Sequence, residues 1–306
     1  MLKIRDIRID SQINSAVTDN SAPEVSFALV NDVPDTFLRS AEGTVCGKSV
    51  RCGCRQAGIK LPQLDWKPFT TYEITISAED NHGEKAEKTV RFQTGRLGMP
   101  WDSKWITDKA YRFGKKISPT PMTFRRKFCI EKPIKRALIT STAMGIYELM
   151  LNSEKVGKDY FAPGFTCYQK NLQYQLYDVT EQLAQCNTLI AVVAGGWAVG
   201  RFTYESKNKI TTDRQALLLE LFLEYTDGST EKIVTDENWD WSNDGPIRFA
   251  DNKDGEAVNA NREPSYSGKA RVTSHNVVPN ASNFLKSYLL FGVYGSSLRI
   301  TMYLGT

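Results

Sequence analysis

ITSTAMGIYELMLNSEKVGKDYFAPGFTCYQKNLQYQLYDVTEQLAQCNTLIAVVAGGWAVGRF, residues 139–202, decides the fold. Apolar and aromatic runs of strand length are broken at short intervals by turn residues: Asn152-Ser153, Pro163-Gly164 and Gly195-Gly196. Such spacing belongs to short strands joined by tight loops, not to helices. Neighbours on a strand point to opposite faces, so Tyr147 is expected in the core and Glu148 outside. The run at 188–194 (TLIAVVA) is nearly continuous in apolar residues, the pattern of a strand buried on both faces. Thr180 is placed to cap a short helix over 181–185. The layout is that of a β-sandwich that meets a ligand with its loops.

The same pattern extends outward. Strands are expected over 122–130 and 137–141. Strands at 217–225 and 231–235 flank Asp227-Gly228, a strong hairpin signal. Trp239 and Trp241 then share one face of the next segment. Toward the N-terminus, 71–79 (TYEITISAE) alternates with period two, 80–83 supplies a turn and 85–94 returns. Trp66 is a candidate core residue. The fold class is all-β: a fibronectin-III/Ig-like sandwich over 1–97, then a jelly-roll sandwich over 98–264, linked through the glycines and proline of 95–100. Beyond 265 the patterning weakens and an isolated apolar stretch appears at 284–294. The segment 265–306 therefore reads either as an element that docks on an absent neighbour or as a truncated or non-native end.

With 306 residues the chain has room for about two cores. The net charge of +4 is small and its Lys and Arg are scattered, which gives no support to a nucleic-acid footprint. Six cysteines stand at irregular spacing and only two histidines are present. Cys52-Gly53-Cys54 is too tight for a zinc knuckle, and a histidine metal site or Ser-His-Asp triad is poorly supplied. Mostly free or buried thiols in a reducing compartment are expected. Neither a signal peptide nor an apolar run of membrane-spanning length is visible, so the expected location is cytoplasmic with no membrane partner.

From Trp101 to Glu263 the chain resembles the N-terminal sugar-recognition domain of bacterial α-L-rhamnosidases. The resemblance rests on Phe124-Arg125-Arg126-Lys127-Phe128, Gly145-Ile146-Tyr147-Glu148, Leu151-Asn152, Ala162-Pro163-Gly164-Phe165-Thr166, Tyr177-Asp178-Val179-Thr180, Gly195-Gly196-Trp197, Gly200-Arg201 and Asp254-Gly255-Glu256. Residues 1–97 look like the sandwich that precedes this domain in many members. The chain departs from the family at Ser153, where glycine is usual, and at Asn259-Ala260-Asn261-Arg262. The resemblance implies a parent reaction of inverting hydrolysis of terminal α-L-rhamnosides, with the acid and base on an α/α-barrel that this chain lacks. It implies partners in L-rhamnose-containing glycans and in that barrel.

Hydrolysis of a glycoside needs two carboxylates across the bond. Asp251, Asp254 and Glu256 are the densest acidic cluster, but the resemblance assigns catalysis elsewhere, so no catalytic residue is expected here. The hard oxygens of Asp251, Asn252, Asp254 and Glu256 are also candidate Ca2+ ligands. For sugar contact the candidates are Trp197, whose indole suits the apolar face of a deoxysugar, and Arg201, a fork of donors for hydroxyls. Asn152, Tyr168 (expected to be exposed near Trp197), Asp254 and Glu256 complete the set. For Trp197 the competing role is a plug in the core or in a domain joint, for Asn152 a turn. The chain as a whole reads as a carbohydrate-recognition and scaffold segment, or as a spacer packed on the barrel.

Overall fold

A computed structural model describes residues 1–13, 16–108, 113–202 and 204–281. The chain is an all-β protein with two compact units, one built on Met1–Pro100 and one on Trp101–Pro279. Among the described residues no helix is long and apolar enough to cross a membrane.

The first unit stacks two sheets. One orders Gln12–Ile13, Lys3–Ile9, Glu24–Val30 and Ile59–Lys60; the other orders Ala16–Thr18, Lys85–Thr94, Thr71–Asp80, Leu38–Val45 and Lys48–Arg51. The hairpin expected at 71–94 forms, with Gly83 at φ +81. The buried Asp80 carboxylate fixes its turn by accepting the His82 and Glu84 amides, both at 2.9 Å. Trp66 is in the core, edge-on to Tyr72 at 4.7 Å and to Phe92 at 5.8 Å. Its indole N–H donates to the Ser21 carbonyl, so the ring is buried without an orphaned donor.

The second unit is also a sandwich. One sheet runs Glu154–Lys155, Ile146–Leu151, Cys186–Ala194, Met122–Cys129, Asp240–Ser242 and Gly268–Lys269. The facing sheet runs Arg271–Thr273, Trp105–Thr107, Ala216–Tyr225, Ile134–Met144 and Leu172–Asp178, and Thr230–Val234 also pairs with Ala216–Tyr225. Phe124, Leu149, Ala191 and Val193 from the first meet Ile139, Leu219 and Leu221 from the second. Trp239 closes the core, fully buried, its N–H on the Val234 carbonyl at 2.8 Å. Each such large side chain contributes roughly 1.5–3 kcal/mol by leaving water. The hairpin Ile247–Asp251/Gly255–Val258 stands apart as a two-stranded sheet. Residues 265–279 belong to this unit, because Gly268–Lys269 and Arg271–Thr273 extend its sheets past the limit at 264. The apolar stretch 284–294 lies outside the described residues.

Several local expectations change. Cys186–Ala194 is not buried on both faces: burial alternates, and Ile190 and Val192 are half-exposed on the side where Arg125 stands opposite Ile190. The doubly buried strands are Ile134–Met144 and Ala216–Tyr225, whose second face carries a separate cluster of Met144, Leu218, Tyr168, Leu172 and Ala198. The helix expected over 181–185 is a single 3-10 turn, Thr180–Gln182. Thr180 does not cap it; its hydroxyl accepts the Ala137 amide and donates to Asp178, tying the turn to a strand. Cys129 and Cys186, expected to be free, form a disulfide. The register places them directly opposite at the strand ends, 4.0 Å apart at Cα. Cys46, Cys52, Cys54 and Cys167 are free thiols.

Candidate functional site

The loops at one end of the second unit carry an aromatic surface and a charged edge. A four-residue helix, Gly196–Val199, presents Trp197. Only glycines fit around it. A Cβ on Gly145 would meet the Ala194 carbonyl oxygen at 2.1 Å, and one on Gly195 would stand 2.8 Å from the Gly200 backbone. Gly196, at φ +51, has the Ile146 backbone nitrogen 2.9 Å from its would-be Cβ. The sequence signal Gly195-Gly196 therefore reflects backbone against backbone, which seats the Trp197 turn against residues 145–146.

Trp197 is half-buried. Its ring lies 6.0 Å from Phe161, tilted by 58°, and 6.0 Å from Phe165, tilted by 55°. Phe165 in turn lies 5.4 Å from Phe202 at 53°. Phe161 is 56% exposed and its neighbour Tyr160 77%, more apolar surface than is usual for a loop that faces only water. Lys155 Nζ sits over the Tyr160 ring at 4.1 Å. Underneath, Gln175 donates to the Pro163 carbonyl and Tyr168 to the Gly164 carbonyl, which fixes the 161–165 loop.

The polar edge follows Trp197 in sequence. The Arg201 guanidinium pairs with Asp254 at 2.6 Å, and its Nη2 lies 3.4 Å from Ser206 Oγ, to which Lys253 Nζ also donates at 2.8 Å. Among the described residues, Arg201 Nε is buried with no hydrogen-bond partner. The pair stands on Asp251. One oxygen of that buried carboxylate takes a short hydrogen bond from Ser118 Oγ and accepts the Arg201 amide at 3.1 Å; the other accepts the Lys253 and Asp254 amides. Three segments distant in sequence meet on this one group.

The structure thus brings Arg201, Asp251 and Asp254 together, leaves Trp197 with Phe161 and Phe165, and separates the rest. Glu256 is exposed on Gly255–Val258, opposite Ala250, and Asn252 is exposed in the hairpin turn. Tyr168, expected at the surface, is 2% exposed, with its hydroxyl held by Gly164; burial pushes its phenol well up. Asn152 is a turn residue at φ +52: its amide donates to Gln182 O and Asn187 Oδ1, and its Oδ1 accepts the Thr188 amide. The cation set of Asp251, Asn252, Asp254 and Glu256 does not converge, since Asp251 is engaged by amides and Asp254 by Arg201. Among the described residues no group of three or more His, Cys, Asp or Glu side chains is gathered to hold a metal ion. Phe161, Phe165, Phe202, Ser206 and Lys253 were not singled out from the sequence as site residues. Phe165 lies in the Ala-Pro-Gly-Phe-Thr stretch, but nothing in the spacing says that its ring meets Trp197.

Residues 132–287 match the family described as the alpha-L-rhamnosidase N-terminal domain, and the chain belongs to that family. An alpha-L-rhamnosidase of Alteromonas sp. is 27% identical over 79% of this chain and 27% of its own length. One from Streptomyces avermitilis is 41% identical over 43% of this chain and 13% of its own. The chain therefore spans about a quarter or less of these relatives. Among solved structures, native alpha-L-rhamnosidase from Aspergillus terreus superposes with a TM-score of 0.78 at 24% identity, over 90% of this chain and 34% of that one. The Streptomyces avermitilis enzyme complexed with L-rhamnose gives 0.72 at 17% identity, over 92% and 46%. At these identities the two structures establish the fold.

Proposed function

We propose that this chain is the sugar-contacting, non-catalytic N-terminal part of an α-L-rhamnosidase, with its contact face on Trp197. In this reading the first unit is a fibronectin-III/Ig-like sandwich and the second a jelly roll. The parent reaction is hydrolysis of terminal α-L-rhamnosides, and the ligands are L-rhamnose-containing glycans. The observation that carries the reading is the exposed Phe161 ring against the half-buried Trp197, on the loop that leads directly to the Arg201–Asp254 pair. Aromatic faces take up the C–H face of a sugar, and charged donors and acceptors satisfy its hydroxyls. Asp251 and Asp254 support this face: both are spent on amides and on Arg201, so neither is disposed as general acid or base. The acid–base pair then belongs to another part of the enzyme.

A second reading, a spacer whose aromatic surface another domain covers, is favoured by the full exposure of Tyr204 and the 77% exposure of Tyr160. Titration of the chain with methyl α-L-rhamnoside, followed by tryptophan fluorescence and by NMR, separates the two. Saturable shifts that vanish in Trp197→Ala, with the circular dichroism unchanged, support sugar contact. A wild-type chain that gives no shift at any sugar concentration leaves the spacer. No release of aryl alcohol from an aryl rhamnoside is expected in either case.

A further inference from the structure

The two outer faces of the first unit are unlike. On the sheet that carries Thr71–Asp80 and Lys85–Thr94, surface charges are matched: Arg39 with Glu79 at 3.2 Å, Lys85 with Glu79 at 3.7 Å and Arg91 with Glu73 at 2.7 Å. On the other sheet Lys3, Arg5 and Arg8 of one strand face outward, while Ile4, Ile7 and Ile9 enter the core. That arrangement breaks strict alternation. An irregularity between Arg5 and Arg8, with Asp6 at φ +49, adds one residue, so Ile7 stays inward and Arg8 returns to the outer face. Across the sheet the three cations stand opposite Val30, Ala28 and Ser26, none of them acidic. Among the described residues, the side chains of Lys3, Arg5 and Arg8 are in no ion pair or hydrogen bond, and Asp6 pairs with none of them. Lys60, by contrast, stands opposite Glu24, so the unmatched charge is confined to the one strand.

Two residues of strand advance about 7 Å, so the three charges form a line of roughly 15 Å beside the small side chains of Ser26 and Ala28. Such a line suits an extended chain that carries anions at intervals. A guanidinium fork takes a carboxylate through two parallel hydrogen bonds. The strip holds no aromatic ring on which a base could stack, and three cations are few against the charge density of a nucleic acid. Nor does it carry the aromatic or leucine side chains that enter lipid headgroups. We infer that the outer face of Lys3–Ile9 binds a carboxylated polysaccharide, a chain of uronate residues laid along the strand with its carboxylates on Lys3, Arg5 and Arg8. This goes beyond the Trp197 reading and stands without it, because the ligand is anionic and its contacts lie in the first unit. Exposed ion pairs of this kind are individually weak and fade with salt.

The test is an NMR titration of the full chain with a linear oligogalacturonate, at about 20 mM salt where exposed charges are least screened. Saturable shifts are expected in residues 3–8 and 26–30. The fully methyl-esterified oligomer, which has the same backbone without the charge, should bind weaker by about tenfold or more. Lys3→Gln with Arg5→Gln, at two exposed side chains that leave the core untouched, should weaken the uronate by about fivefold or more. Arg39→Gln with Arg91→Gln, on the matched sheet, should leave it unchanged. No saturable response at low salt, equal affinity for the ester, or an unaltered Kd in the folded Lys3→Gln/Arg5→Gln variant overturns the inference. Tighter binding of an oligothymidylate or of phosphatidylglycerol vesicles than of the uronate also overturns it, by assigning the face to a nucleic acid or a membrane. A chain that answers the uronate but not methyl α-L-rhamnoside loses the Trp197 reading and keeps this one.

Discussion

Arg201 is held at both ends by the same hairpin turn: its guanidinium meets Asp254 at 2.6 Å, while its backbone N–H donates to Asp251 at 3.1 Å. The ion pair is partly exposed and the buried hydrogen bond sets its position. Replacement of Asp251 by asparagine puts an amide N–H₂ in place of one oxygen, against two of the four donors that the carboxylate accepts. A cost of about 2 kcal/mol is expected, which a thermal melt reads as a Tm lower by about 5 °C. Arg201→Ala, whose side chain is partly exposed, should leave the Tm nearly unchanged and weaken only ligand contact. Equal melting of Asp251→Asn and wild type rejects the anchoring role.

The Trp197 turn admits no side chain beneath it. Gly145→Ala drives a methyl into the Ala194 carbonyl at a φ of +137, where L residues are rarely found, and Gly195→Ala meets the Gly200 backbone. Each should destabilise by about 3 kcal/mol or more, because backbone cannot step aside as a side-chain tip can. Gly228→Ala and Gly255→Ala, at open hairpin turns with no neighbour within 4 Å, serve as controls. There only the positive φ is penalised, at about 1 kcal/mol. Denaturant midpoints that fail to separate the two pairs contradict the close approach.

The pair Cys129–Cys186 closes 57 residues of sequence. Cys129→Ser with Cys186→Ser should cost roughly 2–4 kcal/mol through the unfolded chain. Thiol titration under non-reducing conditions should find four free groups. Cys46, Cys54 and Cys167 react at once because they are exposed. Cys52, buried and with its thiol pushed up by that burial, reacts only on unfolding. Five fast thiols in the native chain, Cys129 and Cys186 joining the three exposed ones, refute the bridge.

Acid should loosen the hairpin at Asp227. Hydrogen bonds from the Ser229 hydroxyl and amide, then Lys132, hold this carboxyl at about 2. Its folded value lies below the unfolded one of 3.8, so its contribution is complete above pH 4 and fades as pH falls toward 2. Glu224, held below its ordinary value by Lys135 and Arg136, loses its contribution in the same direction. Unfolding curves recorded from pH 5 to pH 2 should show stability falling with pH, with a shallower slope in Asp227→Asn. An unchanged slope in that variant removes Asp227 as a source.

Much of the architecture was legible because strands and turns are local. Period-two alternation at 71–79 and Asp227-Gly228 each name a structure within a few residues, and both form where expected. Gly195-Gly196 pointed to a tight turn, and Trp197 stands on it. The misreadings share one cause. Whether 188–194 is covered on one face or two depends on what lies across the sheet. The pairing of Cys129 with Cys186 depends on register between strands 57 residues apart. Tyr168 and Asn152 look like loop residues in any window, and only the packed molecule shows their polar atoms already committed to backbone.

The amino-acid order alone therefore dictated an all-β chain, its hairpins and the glycine turn beneath Trp197, since those follow from backbone sterics and short-range alternation. Tertiary structure alone decided which side chains share the loop end. Phe161, Phe165 and Phe202 join Trp197, and Ser118, Arg201 and Asp254 gather on Asp251, because sheet register folds distant loops to one edge. There a buried carboxylate must find donors wherever the chain can supply them.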